Sequence, residues 1–345
     1  MNKVLISCPK SKHGGVYSFV ENITPFLKSK VVYFYRGRDS RINSAFLQIL
    51  SNLYMPLLFI KKVFISKPEA VIINTSLSYS CLLRDGVLVV ISKLFRKKVL
   101  LIIHGFEEEA LSFRRLIHFG YFQANAMIVL AEEFKKKIEE CGYKRKVYTQ
   151  YNPVSVSLLK NSTPLEIEKI EDIVFISRIE RAKGIYILLD TFNLIKKDYP
   201  EIRLHIAGNG TEKQSIVKYI DSNNLKDVIL YDFISGDDKS RLLANSDIFI
   251  FPTFYKEGLP ISVLESMSYG QIVITRPVAG LVDLYKSCPF GILIDSLDPM
   301  DFKNAFDKIV ADKETFIRMR NIQFAKENFH PEKIANRIEH ILETL

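Results

Sequence analysis

Cysteine is scarce in this chain, and what there is lies scattered. Four occur in 345 residues, Cys8, Cys81, Cys141 and Cys288, with no C-x-x-C pair. That argues against a structural zinc site or a disulfide framework and for a reducing compartment. Long apolar runs are missing too. A transmembrane helix needs roughly 18 apolar residues, and the best uninterrupted stretch, 53–60, falls far short. The opening Met-Asn-Lys-Val-Leu-Ile-Ser-Cys-Pro-Lys has too short an apolar core for a signal peptide. No G-x-G-x-x-G, G-x-S-x-G or P-loop is present, so the common dinucleotide, hydrolase and P-loop signatures are out. Nor is there a D-x-D, the simplest metal-chelating signature of a sugar-nucleotide enzyme.

What is there reads as a soluble globular protein. Apolar residues make up 48% and charged residues 25%, both ordinary values, and the length makes two domains the default. The net charge of +9 is unevenly spread. Residues 1–155 hold 24 Lys+Arg against 11 Asp+Glu, so +13; residues 156–345 hold 24 against 28, so −4. A basic half points to an anionic partner: nucleic acid, a phosphorylated ligand or an anionic membrane surface.

Short apolar, β-rich runs alternate with helix-prone stretches along the whole chain. They fall at 4–8, 31–35, 70–74, 99–103, 126–130 and 147–151, then at 173–177, 203–207, 228–231, 248–251, 272–275 and 292–294. Such alternation predicts βαβ units and parallel sheets. Asn-Pro-Val at 152–154 and a Lys/Glu-rich stretch to about residue 171 separate the two series and read as a linker. The expected architecture is two doubly wound α/β domains, 1–155 and 156–329, followed by an amphipathic helix over 330–345. Ligands in such domains sit at the carboxyl ends of the strands.

The most informative segment is 249–274. It reads as buried strand, tight turn, helix, Gly stop and second buried strand. Pro260 suits the first helical position. Backbone N–H groups of the turn Glu257-Gly258-Leu259-Pro260 and the positive end of a helix dipole suit a diphosphate. Glu257 and Glu265 are suited instead to accept hydrogen bonds from ribose or sugar hydroxyls. Spacing alone is weak, because Glu132 and Glu140 share it within a charged, solvent-facing helix.

Other segments fit the same chemistry. At 176–192 a strand passes through a loop into a helix, and Arg178 and Lys183 on that loop can grip a diphosphate and stabilise it as a leaving group. Gly14 and Gly15 precede a helix after the first strand, where backbone can approach a ligand closely. His104 stands at a strand's end; His13, His118, His205, His330 and His340 receive no role. Gly208 and Asn209 in Ala-Gly-Asn-Gly follow a strand and could line a nucleotide pocket. Residues 47–62 are very apolar and end in two lysines; they read first as a buried core helix and alternatively as an interfacial one.

Together, Ser-Arg-x4-Lys-Gly at 177–184, Ala-Gly-Asn-Gly at 207–210 and Glu-x7-Glu at 257–265 resemble the retaining glycosyltransferases of family 4. The first half matches more loosely, through Gly14-Gly15 and His104. The resemblance implies a GT-B fold, two Rossmann-like domains facing across a cleft, with the final helix returning to the first domain. It implies that Arg178 and Lys183 hold the donor diphosphate, that Glu257 contacts the transferred sugar and Glu265 the ribose, that Gly15 backbone nears the diphosphate, and that His104 lies near the sugar. It implies no metal or other cofactor, the nucleotide diphosphate sugar being a co-substrate. A UDP-sugar is the first expectation and GDP-mannose the second, with a hexosyl or N-acetylhexosaminyl group passing to a glycan or lipid diphosphate-linked acceptor in bacterial surface polysaccharide synthesis, and with cytoplasmic, membrane-peripheral placement. Two departures bear on the sugar: Ala279 stands where relatives commonly show the first of two glycines, and Gln271 where Pro is frequent. Two rival classes remain. A GT-B sugar-nucleotide epimerase would need acid/base carboxylates on both faces of the sugar, which the first half does not supply. A nucleic-acid-binding protein would use the basic half, but no RRM, KH or zinc-finger pattern supports it.

Overall fold

The computed structural model describes residues 1–10, 14–36, 45–160, 169–312 and 315–345, without the side chains of 45–53 and 315. Part of the expected linker (161–168) and of the loop after the first strand (11–13) lies outside the described residues, as do the side chains of 47–53.

All twelve expected strands form, differing only at their ends. They are β1 (Lys3–Pro9), β2 (Lys30–Arg36), β3 (Ala70–Leu77), β4 (Lys98–Phe106), β5 (Ala126–Val129), β6 (Val147–Thr149), β7 (Asp172–Ile176), β8 (Arg203–Ala207), β9 (Val228–Tyr231), β10 (Ile248–Phe251), β11 (Ile272–Thr275) and β12 (Gly291–Leu293). The central ones are buried on both faces, so they read as continuous Val/Ile/Leu runs rather than alternating ones. Every ladder is parallel.

Two compact units divide the chain. The N-terminal unit comprises Met1–Pro153, Lys256–Leu259 and Pro331–Leu345, and the C-terminal unit Val154–Tyr255 and Pro260–His330. The sheet of the first runs β2-β1-β3-β4-β5-β6, and that of the second β12-β11-β10-β7-β8-β9. In a doubly wound sheet the ligand crevice lies where strand order reverses. That point falls between β1 and β3 in one unit and between β7 and β10 in the other. The terminal helix Pro331–Thr344 sets Ile334, Ala335, Ile338, Ile341 and Leu342 into the same core as Val4, Ile6, Ile72, Leu100 and Ile128. Its Glu339 accepts a hydrogen bond from the Ser29 backbone N–H at 2.7 Å.

Three expectations need correction. Pro260 is not the first helical residue: its ψ of 119° is extended, and the helix begins at Ile261 with Pro260 as its N-cap. His104 lies inside β4 rather than at its end, because the strand runs on to Phe106. The 47–62 segment is not a core helix over its described side chains, 54–62. The helix Ala45–Ser66 buries Met55, Phe59 and Val63 but leaves Tyr54, Leu57, Leu58 and Ile60 exposed, because only one face of it meets the unit.

Candidate active site

In the C-terminal unit the loops after β7 and β10 meet at the reversal point. The Phe254 N–H donates to the Ala182 carbonyl at 3.0 Å, which ties the two loops together. Gly184 makes the approach possible. Its φ is +81°, and a Cβ there would overlap the Pro252 carbonyl oxygen. The outcome is a convergence of the two predicted cations on one ring. The Lys183 ammonium stands 4.3 Å and the Arg178 guanidinium 5.7 Å from the Tyr255 centroid. Lys183 is buried, at 4% exposure, whereas Arg178 is exposed and pairs with Glu180 Oε1 at 2.6 Å. Two cations held on an aromatic face beside a helix start can receive a dianionic ligand.

Gly208 and Asn209 act on the same loop from behind. The Asn209 carbonyl accepts from the Ile179 N–H at 3.0 Å, and its side-chain oxygen accepts from Lys213 at 2.9 Å. They brace the stretch that carries Arg178. Glu265 lies in the second turn of the buried helix Ile261–Ser268, with both oxygens 3.0 Å from the Lys239 ammonium. That lysine escaped the sequence reading, since nothing local to it marks a partner 26 residues away.

Glu257, Gly258 and Leu259 belong to the N-terminal unit. Glu257 forms an antiparallel bridge with Gly105, next to His104. Gly258 lies close enough that a Cβ would stand 2.7 Å from the His104 carbonyl oxygen and 2.9 Å from Leu130 Cδ1. Asn152 donates to the Leu259 carbonyl at 2.7 Å, and Lys256 pairs with Glu109 at 2.6 Å. Glu257 and His104, 153 positions apart in their numbering, are thus brought together.

His104 owes its orientation to a β-bulge. The β3–β4 register jumps from Thr75↔Ile103 to Ser76↔Gly105, which leaves His104 unmatched. Bulges re-aim side chains beside active sites. Its Nε2 lies 3.0 Å from Asn74 Oδ1, while Asn74 Nδ2 donates to the Ser7 carbonyl at 3.3 Å. With the amide nitrogen so committed, Nε2 carries the proton and Nδ1 is the acceptor. Burial, and secondly the Arg36 guanidinium, push the imidazole down to about 3. His104 is therefore a neutral hydrogen-bonding group at physiological pH. Arg36 donates to Ser7 Oγ at 3.0 Å and faces Asp85 at 3.4 Å. The fully buried Asp85 also accepts from Thr75 at 2.5 Å and from Arg84 at 2.7 and 2.9 Å. None of Asn74, Arg36 or Asp85 was visible as a site residue in sequence.

Gly14 caps the helix Gly15–Ile23 with φ +111°, and both glycines are exposed at the carboxyl end of β1. Among the described residues no group of three or more His, Cys, Asp or Glu is placed to hold a metal ion.

A family model described as glycosyl transferases group 1 matches residues 160–328, which carry Arg178, Lys183 and Glu265. That stretch of the chain is thus similar to group 1 glycosyltransferases. It is 25% identical over 198 residues to YqgM, an uncharacterized glycosyltransferase of Bacillus subtilis, covering 57% of this chain and 54% of that one. It is 22% identical over 206 residues to WcaL of Escherichia coli, a putative colanic acid biosynthesis glycosyltransferase, covering 57% and 49%. The chain thus spans about half the length of these curated relatives. Anabaena HepE, solved in complex with UDP, aligns over 100% of both chains at 16% identity with a TM-score of 0.76. Sucrose-phosphate synthase from Thermosynechococcus elongatus aligns over 100% and 99% at 14% identity with a TM-score of 0.77. The two structural likenesses place the chain in the GT-B fold.

The departures from the family pattern now have a setting. Gln271 is buried and donates to the Leu243 carbonyl at 2.9 Å. Ala279 opens the helix Ala279–Ser287 at φ +25°, a conformation that glycine adopts at lower cost. His205, given no role from sequence, donates or accepts at 2.7 Å to Asp172 and at 3.1 Å to Tyr231. Arg203 pairs with Asp172 too, at 2.6 Å. These groups line a cavity of about 660 Å³ on the β7–β9 side of the sheet.

Proposed function

We propose that this protein is a retaining glycosyltransferase that moves a hexosyl or N-acetylhexosaminyl group from a nucleotide diphosphate sugar to a hydroxyl of a glycan or lipid-linked oligosaccharide. The observation that carries the reading is the convergence of Lys183 and Arg178 on Tyr255 at the carboxyl ends of β7 and β10. A UDP-sugar is the favoured donor, GDP-mannose the second; the UDP and UDP-glucose complexes of HepE support the first. The description of WcaL supports an acceptor in surface polysaccharide synthesis, such as O-antigen, capsule or exopolysaccharide. Such an acceptor is lipid diphosphate-linked at an inner-leaflet surface, with the enzyme peripheral to it.

In this reading Lys183 and Arg178 neutralise the diphosphate as it leaves, so no metal is needed for that charge. Glu265 takes the ribose hydroxyls and displaces part of its contact with Lys239. Glu257 and neutral His104 each accept a hydrogen bond from a sugar hydroxyl. The acceptor oxygen attacks the anomeric carbon from the face the diphosphate leaves. The anomeric C–O bond to the diphosphate breaks, and the acceptor proton passes to a donor phosphate oxygen. The protein contributes positioning and charge stabilisation, not a nucleophile.

Calorimetry with UDP and GDP, on the wild type and on Lys183→Ala and Glu265→Ala, tests this. Binding of one nucleotide, abolished in Lys183→Ala and weakened in Glu265→Ala, is the expected result. No binding of either, or binding indifferent to both substitutions, overturns the site assignment.

A further inference from the structure

The helix Ala45–Ser66 has two unlike sides. Met55, Phe59 and Val63, four residues apart, face the N-terminal unit and are buried. Tyr54, Leu57, Leu58, Phe64 and Ile65 are 45–67% exposed, and Ile60 is exposed as well. At 3.6 residues per turn these positions cover the outer half of the helix over residues 54–65. Only Lys61 interrupts them. An outward face this apolar is not a solvated face, and contiguous exposed apolar patches mark interaction sites.

Its chemistry selects the occupant. The helix has two lysines, Lys61 and Lys62, and no Asp or Glu; Lys67 follows directly. It packs against the helix Tyr79–Leu94, which ends in the 77%-exposed Leu94 amid Lys93, Arg96, Lys97 and Lys98. Apolar and aromatic groups interleaved with cations, and free of acids, match a headgroup layer of negative charge: the side chains enter the acyl boundary and the ammonium groups stay with the phosphates. Among the described residues no helix is long and apolar enough to cross a membrane. The helix would therefore lie in the plane of the surface.

We propose that the outer face of this helix over residues 54–66 docks the protein on an anionic lipid surface, with Leu57, Phe64 and Ile65 inserted and Lys61 and Lys62 on the headgroups. This deepens the membrane partner of the function proposed above by assigning the surface that meets it.

Vesicle flotation tests it with neither donor nor acceptor, using phosphatidylcholine alone and phosphatidylcholine with about one-third phosphatidylglycerol. The wild type should float with the anionic vesicles. Leu57→Glu/Phe64→Glu should lower the bound fraction about tenfold or more, because two apolar side chains no longer leave water. Lys61→Glu/Lys62→Glu should abolish the preference for anionic over neutral vesicles. Thermal melts by circular dichroism should match the wild type, as all four side chains lie outside the core. A wild type that floats with neither vesicle overturns the proposal, and so does one whose flotation survives both double substitutions. A concentration-dependent dimer that Leu57→Glu/Phe64→Glu dissolves, without vesicle binding, overturns it in favour of a second copy on this face. UDP and GDP binding to the wild type keeps the two readings apart: nucleotide binding without flotation on either vesicle sinks only this proposal.

Discussion

The two units place charge at the carboxyl ends of their strands in opposite ways. In the N-terminal unit Arg36 is buried and spends its charge inside the protein, on Asp85 and Ser7. Its effect outward is indirect: it helps keep His104 neutral. In the C-terminal unit Lys183 and Arg178 converge on Tyr255, a ring that attracts cations, and Arg178 also pairs with Glu180. Net charge per half, +13 against −4, therefore misleads about chemistry. The N-terminal unit offers neutral and acidic hydrogen-bond acceptors, His104 from the basic half and Glu257 from the acidic one. The acidic half holds the cations suited to a diphosphate. Where a charge is buried, and against what, decides its function more than how many there are.

Breaking the N-terminal network should have the largest effect. Asp85→Ala leaves Arg36 and Arg84 without their buried carboxylate and should cost about 3–5 kcal/mol of stability, read as a drop in the urea midpoint. A loss under about 1 kcal/mol would mean that the pair behaves as a solvated one. Next comes Lys183→Ala, which should leave the fold intact and lower turnover roughly 10²–10³-fold; activity within about threefold of wild type removes Lys183 from the mechanism.

A subtler change converts one unit's logic into the other's. Asn74→Asp puts a carboxylate against His104 and should raise its pKa from about 3 by roughly 1–3 units. The acid limb of kcat/KM against pH should move up by about as much; an unchanged limb would show that the protonation of His104 does not matter. The sign for stability follows from the same shift. The folded imidazole titrates near 3 and the unfolded one near 6.5. The unfolded state thus binds the proton first, and stability that is complete above pH 6.5 is lost as pH falls towards 3. His104→Gln should flatten that window in pH-dependent urea melts. The smallest effect is expected from Ala279→Gly, which relieves a positive φ and should leave the melting temperature unchanged or slightly raised, by no more than about 1 kcal/mol equivalent. A clear loss would mean that the Ala279 methyl is held in a contact worth more than the strain.

The sequence by itself determined the twelve strands, the parallel sheets, the glycine at 184 and the cations at 178 and 183. These rest on local physics: strands buried on both faces must be short apolar runs, and a loop entering a helix at a strand's end must turn tightly. The family resemblance was legible for the same reason, because its motifs lie within stretches of eight or nine residues. Only the tertiary structure decided what those residues touch. Tyr255 as the shared platform, Lys239 on Glu265, the bulge that aims His104 at Asn74, and Glu257 bridged to Gly105 all join positions 26 to 152 apart. It also decided that the helix Ala45–Ser66 turns Tyr54, Leu57, Leu58, Phe64 and Ile65 outward. Spacing along a helix reports that a face is apolar, but only the chain's path shows whether anything covers it.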